Sequence, residues 1–221
     1  GSSIDGGFQL RAGGVRSVSV LGSIGSTLKL SGVDIASLGT VQLGSGAAIH
    51  TSGDIHIAAN NRFLNLSSNP QVLTSSQSNW KIWSGNVDPF GVSLSDQIGN
   101  LAYDYRVYNI PIDFSQPNFF SALANPPSTT GNGLFYQIAP SLTLQVQGPL
   151  SKVYDGTTNI TVSSALLTFN GVVNGDLVRN ASFGIAGQFN NPGVIASSVL
   201  LSSPLLQAID TSNKPVFGYR L

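Results

Sequence analysis

The only two histidines of the chain, His50 and His56, lie on either side of Asp54. Two imidazole nitrogens and a carboxylate are ligands that suit a transition-metal site. If side chains alternate along a strand, Ile55 and Ile57 face inward and the three polar residues face outward. Whether the three polar side chains meet depends on the register between strands. The pattern therefore favours solvated surface residues, and we predict no metal site.

Acidic and basic residues are too scattered to predict a catalytic site. A polysaccharide lyase on a β-helical rod would need clustered carboxylates for Ca²⁺ and a Lys or Arg base on one face. No Gly-x-Ser-x-Gly turn leads into a helical pattern, and cysteine is absent. We predict a protein without catalytic residues or cofactors, and a β-helical polysaccharide-degrading enzyme is the least favoured alternative. The charged residues considered are Asp34, Asp54, Arg11, Arg16, Lys29 and Arg62.

Aromatic residues are concentrated between positions 80 and 108. Exposed rings in such a group could stack on sugars or anchor a protein partner, whereas buried rings would form the core of a cap. We favour the interpretation that these rings form the core of a cap. We keep as an alternative hypothesis that Trp80, Trp83, Tyr103 and Tyr105 bind a ligand. The full group is Trp80, Trp83, Phe90, Tyr103, Tyr105 and Tyr108.

Residues 15–68 consist of short segments in which apolar residues alternate with polar or small ones, and each segment ends at Gly, Ser or Asn. Strands this short must stack on their neighbours to bury an apolar face. An antiparallel meander would need hairpin pairs such as Asn-Gly, and Asp5-Gly6 is the only such pair before Ser68. The pattern favours a parallel β-helix of about three coils stacked at ~4.8 Å.

The rest of the chain divides by composition. We predict β-helix coils over about 7–68 and a capping region over about 69–124, together residues 1–124, because the last coil of a solenoid needs a cover. Residues 125–140, rich in Pro and Gly at their start, are predicted to be a linker. Residues 141–221 contain six or seven short alternating segments. They predict a small antiparallel β-sandwich or β-grasp-like module, so the chain is all-β.

Composition excludes several partners. The formal net charge is zero and only 9% of residues are charged, which argues against nucleic acid and anionic membranes. No apolar run reaches the ~18 residues needed to span a bilayer. Methionine is absent and Gly1-Ser2 is typical of the remnant left by tag removal, so we expect a piece of a longer protein.

Two groups of motifs resemble known families. The segments Leu134–Leu144, Lys152–Thr158, Gly175–Val178 and Gly218–Leu221 resemble the YDG/MBG-type repeat of large bacterial surface adhesins. The upstream part, with Trp80 to Pro89 followed by Tyr108-Asn109, is similar to the C-terminal β-helix of two-partner-secretion exoproteins of the filamentous haemagglutinin and HMW-like type.

The resemblance implies a non-catalytic stalk or adhesive segment of a secreted or cell-surface bacterial adhesin that mediates attachment, aggregation or biofilm formation. It implies an outer-membrane transporter as partner of the full-length protein. Host or matrix carbohydrate and another copy of the adhesin are the expected ligands, and a carbohydrate-binding module of the same adhesin is the alternative function.

The Lys-Val-Tyr-Asp-Gly-Thr-Thr motif is interpreted as a fold signature of that repeat, carried by Lys152, Tyr154, Asp155 and Gly156. Asp-Gly is a turn dipeptide, and the Asp155 carboxylate can accept backbone N–H groups. We expect Tyr154 to pack inward with its hydroxyl at the edge.

Three tripeptides match the Asn-x-Ser/Thr acceptor motif of N-glycosylation, and a chain rich in Ser, Thr and Asn contains several by chance. They begin at Asn65, Asn159 and Asn180.

Overall fold

The computed structural model describes residues 9–14, 16–116, 119–120, 130–193 and 196–221. The chain forms two compact units, residues 1–139 and 140–221, which are described separately. The all-β prediction is confirmed, with 42% of residues in strands and 2% in helix. Among the described residues, no helix is long and apolar enough to cross a membrane. Gly1-Ser2, Asp5-Gly6 and the first residues of the predicted coils lie outside the described part.

The first unit is a parallel β-solenoid with three faces. In chain order the strands are β1 (Gln9–Gly14), β2 (Ser17–Val20), β3 (Ser23–Ile24), β4 (Gly32–Ser37), β5 (Thr40–Leu43), β6 (Ala48–Thr51), β7 (Ile55–Ala59), β8 (Phe63–Asn65), β9 (Leu73–Ser75), β10 (Trp80–Ser84), β11 (Tyr105–Val107) and β12 (Gly133–Tyr136). One sheet has the strand order β1-β4-β7-β10-β12-β11, the second β2-β5-β8 and the third β3-β6-β9, so each of the first three coils contributes one strand to each face.

Register partners in the first sheet mark where each coil begins and ends. Leu10 pairs with Val33, Val33 pairs with Ile55, and Ile55 pairs with Trp80. Each partner lies one coil further along the chain, and the interval from Ile55 to Trp80 is the longest of the three. The predicted parallel β-helix is therefore confirmed, and it has about four turns rather than three.

The extra coil lies in the region predicted to be a cap. Strands β9 and β10 continue the third and first sheets, so the solenoid extends beyond residue 68 as far as Ser84. The sequence pattern ends at residue 68 because the apolar repeat there changes from aliphatic to aromatic residues. In the structure Trp80 takes the position of Ile55, and Ile82 that of Ile57.

The interior of the solenoid is built from ladders of apolar side chains. One ladder runs through register partners Ile35, Ile57, Ile82 and Leu134, none of which is more than 2% exposed. Parallel strands about 4.8 Å apart bring equivalent side chains into contact. Each coil therefore buries its apolar face only against its neighbours, which makes the stack cooperative.

The predicted linker 125–140 is wrong over its C-terminal half. Residues 133–136 form β12, which is fully buried and inserts between β10 and β11. Gly133 is needed there, because a Cβ at this position would lie 2.6 Å from the Cζ atom of Tyr105. The apolar run Leu134-Phe135-Tyr136 thus forms a strand although the residues before it are rich in Pro and Gly. Residues 125–129 lie outside the described part.

The strands of the second unit are β13 (Thr143–Val146), β14 (Asn159–Ser163), β15 (Leu167–Asn170), β16 (Asp176–Asn180), β17 (Gly184–Phe189), β18 (Val199–Leu201), β19 (Leu206–Asp210) and β20 (Pro215–Phe217), and a 3₁₀ turn spans Ser164–Leu166. These strands pair antiparallel, as predicted, in sheets ordered β13-β15, β14-β17-β18 and β20-β19-β16. Val162, Leu167 and Ile185 form the buried core of the unit.

Truncation of one ladder residue should destabilise the solenoid. Ile57→Ala removes a fully buried side chain between Ile35 and Ile82, and we expect a loss of about 2–5 kcal/mol in the free energy of unfolding. Urea unfolding followed by tryptophan fluorescence measures this loss, because both tryptophans, Trp80 and Trp83, lie in the first unit. The control is Leu38→Ala at a residue that is 50% exposed. Equal losses in the two variants would contradict a stacked interior at Ile57.

Candidate functional site

The four aromatic residues predicted to bind a ligand are all buried. Trp80 is 3% exposed, Trp83 0%, Tyr103 9% and Tyr105 1%. A ring that stacks on a sugar must present a face to solvent, and none of these four does. They are core residues, so they do not provide the exposed rings that the ligand-binding hypothesis requires.

Trp83 explains why the sequence pattern was ambiguous here. It points away from the solenoid interior, on the side opposite Ile82, yet it is covered by a later segment. Its Nε1 donates a hydrogen bond to the carbonyl of Ile110 at 2.6 Å, and its ring meets that of Phe114 edge-on at 5.6 Å. The first sheet is therefore buried on both sides at this coil, and a strand buried on both sides shows no polar alternation.

Arg106 lies on the last rung of the interior ladder in the first unit. Its register partner is Leu134, and it is 9% exposed. The guanidinium carbon lies 5.1 Å from the ring centroids of both Phe90 and Tyr103, and Nη2 donates to the Tyr103 hydroxyl at 2.8 Å. Cation–π contacts of this kind compensate for the loss of water around a buried charge. Arg106 thus covers Leu134 with a charged group between two rings.

The two histidines and Asp54 do not come together. His56 lies on the first sheet, where its Nδ1 is 3.0 Å from the Oδ1 of buried Asp34. His50 lies on the third sheet opposite Thr74, and Asp54 accepts a hydrogen bond from the Ser78 hydroxyl. In the part of the chain that the structure describes, no three His, Cys, Asp or Glu residues are placed to share a metal ion.

Asp96 is a half-buried acidic residue that no sequence pattern indicates as a site. Its Oδ1 accepts from the backbone N–H of Phe63 at 3.2 Å and from the side-chain amide of Asn86 at 3.1 Å. The same Asn86 amide donates to the carbonyl of Leu94 at 2.8 Å. Burial raises the pKa of Asp96, and hydrogen bonds from Ser84 and Asn86 oppose that shift. These hydrogen bonds connect both ends of the 87–95 loop to the coil, and no local sequence pattern predicts them.

The Lys-Val-Tyr-Asp-Gly-Thr-Thr motif forms a loop organised around one ammonium group. Lys152 Nζ donates to Asp155 Oδ1 at 2.6 Å, to Thr157 Oγ1 at 2.8 Å and to the carbonyl of Asn159 at 2.8 Å. The backbone N–H of Thr157 donates to Asp155 Oδ1 at 2.9 Å. Gly156, at φ +76°, supplies the left-handed residue between them. Lys152 therefore takes the place that a bound cation would take among three oxygen atoms.

This loop lies within a segment that is similar to a known domain family. Residues 139–202 match the family model of the YDG domain. That domain is a β module found in adhesin-like and other proteins. No curated protein and no solved structure matches the chain.

The family match and the strand assignment change the limits of the segments that resemble the YDG repeat. The YDG domain match begins at residue 139, and Leu134–Tyr136 belong to β12 of the first unit. The closing segment does belong to the second unit, because the Leu142 N–H donates to the Arg220 carbonyl at 2.6 Å.

Tyr154 does not pack inward, contrary to expectation. It is 70% exposed, and neighbouring Val153 is 89% exposed. Residues 151–155 form no strand, so alternation does not decide which way their side chains point. The domain signature thus fixes the loop through Lys152 and Asp155 and leaves Tyr154 on the surface.

Loss of the Lys152 ammonium should destabilise the second unit in a pH-dependent way. The hydrogen bond from Lys152 and those from Thr157 lower the pKa of Asp155 from 3.8 to about 2. Stability from this group is therefore present above pH 3.8 and is lost as the pH falls through about 2. We expect Lys152→Met to lower the melting temperature at pH 7, with a difference from the native chain that shrinks towards pH 2. Thermal melting between these pH values tests this, with Lys214→Met as control, and a difference that stays constant with pH would contradict it.

Asp96 gives the opposite pH dependence. Because its folded pKa is raised, its ionised form costs stability at neutral pH, and that cost disappears as the pH falls to its unfolded value of 3.8. Asp96→Asn keeps an acceptor oxygen, so we expect it to be at least as stable as the native chain at pH 7. This advantage should narrow at pH 4, as measured by urea unfolding. Asp88→Asn, at an exposed residue of the adjoining loop, is the control. An advantage for Asp96→Asn that grows on acidification would refute the assignment.

Proposed function

We propose that this chain is a non-catalytic, rigid spacer segment of a large secreted or cell-surface bacterial adhesin that mediates attachment, aggregation or biofilm formation. The observation that carries the proposal is the parallel register of the first sheet, which continues over about four coils and is followed along the chain by a YDG domain match.

The solenoid has the mechanics that a spacer needs. Strands β4, β7 and β10 are each hydrogen-bonded to a neighbour on both sides, so bending the first unit must strain several ladders together. With 9% charged residues and no net charge, the chain depends little on exposed ion pairs that salt would screen. Its stiffness should therefore persist over a wide range of ionic strength.

The coil-by-coil arrangement also suits export through an outer-membrane transporter, which we propose as the partner of the full-length protein in two-partner secretion. Along β1, β4, β7 and β10 each strand pairs with the strand one coil later, so folding can propagate from one completed coil to the next. The chain contains no cysteine, and its folding needs no disulfide bond. A chain that emerges progressively on the far side of a membrane can fold in this way.

The alternative functions have less support. A carbohydrate-binding module centred on the four aromatic residues would need exposed rings, and these rings are buried. A polysaccharide-degrading enzyme would need paired acids, whereas Asp34 pairs with His56 and Asp54 with Ser78.

Segment replacement in the full-length protein tests the spacer role. In one variant, residues 9–139 are replaced by an unrelated β-solenoid with the same number of coils, and in the other by a Gly/Ser chain of the same number of residues. We expect the first to keep cell attachment and the second to lose most of it, because a flexible chain does not hold a binding region away from the cell. Antibody labelling of intact cells must first show equal surface display.

Both other outcomes would refute the spacer function. Loss of attachment in both variants would mean that this segment itself carries the binding surface. Full attachment with the Gly/Ser chain would mean that stiffness is not required.

A further inference from the structure

Three Asn-Gly pairs lie in the described part of the chain, and this dipeptide can modify itself without an enzyme. The pairs begin at Asn132, Asn170 and Asn174. The backbone nitrogen of the glycine can attack the side-chain amide carbon of the asparagine, because glycine has no Cβ to obstruct the approach. The two atoms meet after the asparagine side chain and the peptide plane between the residues have rotated. The fold therefore decides which pair can react.

Asn132 is held by hydrogen bonds at every polar group of its backbone and side chain. Its Oδ1 accepts from the Trp80 N–H at 3.0 Å, and its Nδ2 donates to the Ala102 carbonyl at 3.3 Å. Its backbone N–H donates to Asp104 Oδ2 at 2.7 Å, and its carbonyl accepts from the Asp104 N–H at 2.8 Å. Gly133 is buried at the start of β12. Attack by the Gly133 nitrogen would break these bonds, so the fold protects Asn132.

Asn170 is held through its backbone at the end of β15, where it lies opposite Thr143 of β13. In the same antiparallel ladder the Gln147 N–H donates to the Leu166 carbonyl at 2.7 Å. Every second pair of such a ladder is hydrogen-bonded, which makes Asn170 and Thr143 a bonded pair. Rotation of the peptide plane after Asn170 would disrupt this end of the strand.

Asn174 lies at the exposed tip of the turn between β15 and β16. The Asp176 N–H donates to the Val173 carbonyl at 3.0 Å, so Asn174 and Gly175 are the two residues inside the turn, and both are exposed. Within the described part of the chain, no hydrogen bond involves the Asn174 side chain or the Gly175 N–H. A Cβ at Gly175 would contact the Thr211 methyl group at 3.5 Å, which leaves space around the peptide.

The two ends of this turn are fixed although its tip is free. The Tyr219 hydroxyl accepts from the Val173 N–H at 3.0 Å and donates to Asp176 Oδ2 at 2.7 Å. Asp176 also begins β16, where it lies opposite Asp210. Rotation at the tip therefore leaves the bonds that hold the strands of the second unit in place.

We propose that Asn174 is a site of spontaneous covalent modification, at which the chain converts a neutral amide into a carboxylate. The Gly175 nitrogen bonds to Cγ of Asn174 while the bond from Cγ to Nδ2 breaks. The proton of the Gly175 N–H passes to the departing nitrogen, which leaves as ammonia. Water then adds to one of the two carbonyl carbons of the five-membered ring and opens it, which gives aspartate or isoaspartate. The inference does not depend on the spacer function.

Incubation of the purified chain at mildly alkaline pH, followed by peptide mass spectrometry with fragmentation, measures the reaction at each asparagine. In the folded chain we expect Asn174 to react at least about tenfold faster than Asn132 and Asn170, because the two held sites must first open locally. In concentrated urea the three rates should approach one another, since the fold no longer separates the pairs. This urea arm is the control for the reactivity of the dipeptide itself.

Charge gives a second measurement, because the reaction adds one negative charge to a chain whose formal net charge is zero. Isoelectric focusing of the folded chain should show one acidic species that increases with time. Asn174→Gln should prevent this species, since attack on the longer side chain would have to close a six-membered ring. The matched control Asn170→Gln should leave it unchanged. Circular dichroism melting should show that both variants fold, because both residues are exposed.

Three results would overturn the proposal. The first is an unmodified Asn174 in the folded chain after the same site has reacted in urea. The second is a reaction at Asn132 or Asn170 in the folded chain that is as fast as that at Asn174. The third is an acidic species that persists in Asn174→Gln.

Discussion

Every coil of the first unit must place its side chains in the same register as the coil before it. A slip of one residue would turn each interior side chain to the outer face. The chain keeps this register while coil length changes, because the corners absorb the difference. Val41 pairs with Phe63 on the second face, and the interval from Ile49 to Leu73 on the third face is longer. The added residues lie after β8, where the Ser67 N–H donates to Asn65 Oδ1 at 3.1 Å.

The same constraint decides how much of the fold could be predicted from sequence. Between β4 and β8 the alternation of side chains and the coil length are both visible in consecutive residues, so the sequence pattern alone predicts a parallel β-helix. Strand β12 could not be found in this way. It pairs with β10, Lys81 opposite Gly133, although all of β11 lies between them in the chain, and it inserts ahead of β11 in the sheet. This order of strands cannot be inferred from the spacing of residues along the chain. A short apolar run after Pro and Gly is more often the start of a new module.

Residue type predicted the candidate sites less well than the fold. Trp83 and Tyr154 are both aromatic residues that follow an aliphatic residue and precede a polar one, yet Trp83 is fully buried and Tyr154 is 70% exposed. The difference comes from Phe114 and Ile110, which cover Trp83 from a later segment, and no such segment covers Tyr154 in the described part of the second unit. The three asparagines of the Asn-x-Ser/Thr tripeptides likewise differ in burial, because strand pairing and turns, and not the tripeptide itself, determine what surrounds each side chain.

Lys152 connects the domain signature with the behaviour of a sheet edge. Strand β14 is at one edge of its three-stranded sheet, and an edge strand exposes carbonyl and N–H groups that can pair with another chain. The Lys152 ammonium donates a hydrogen bond to one of these carbonyls, that of Asn159, and another to the Asp155 carboxylate. A protein that carries β modules in a row, as an adhesin would, gains from such protection because unprotected edges of neighbouring modules could pair with one another. One side chain thus orders the loop, blocks part of the edge and leaves the Asn159 amide facing solvent.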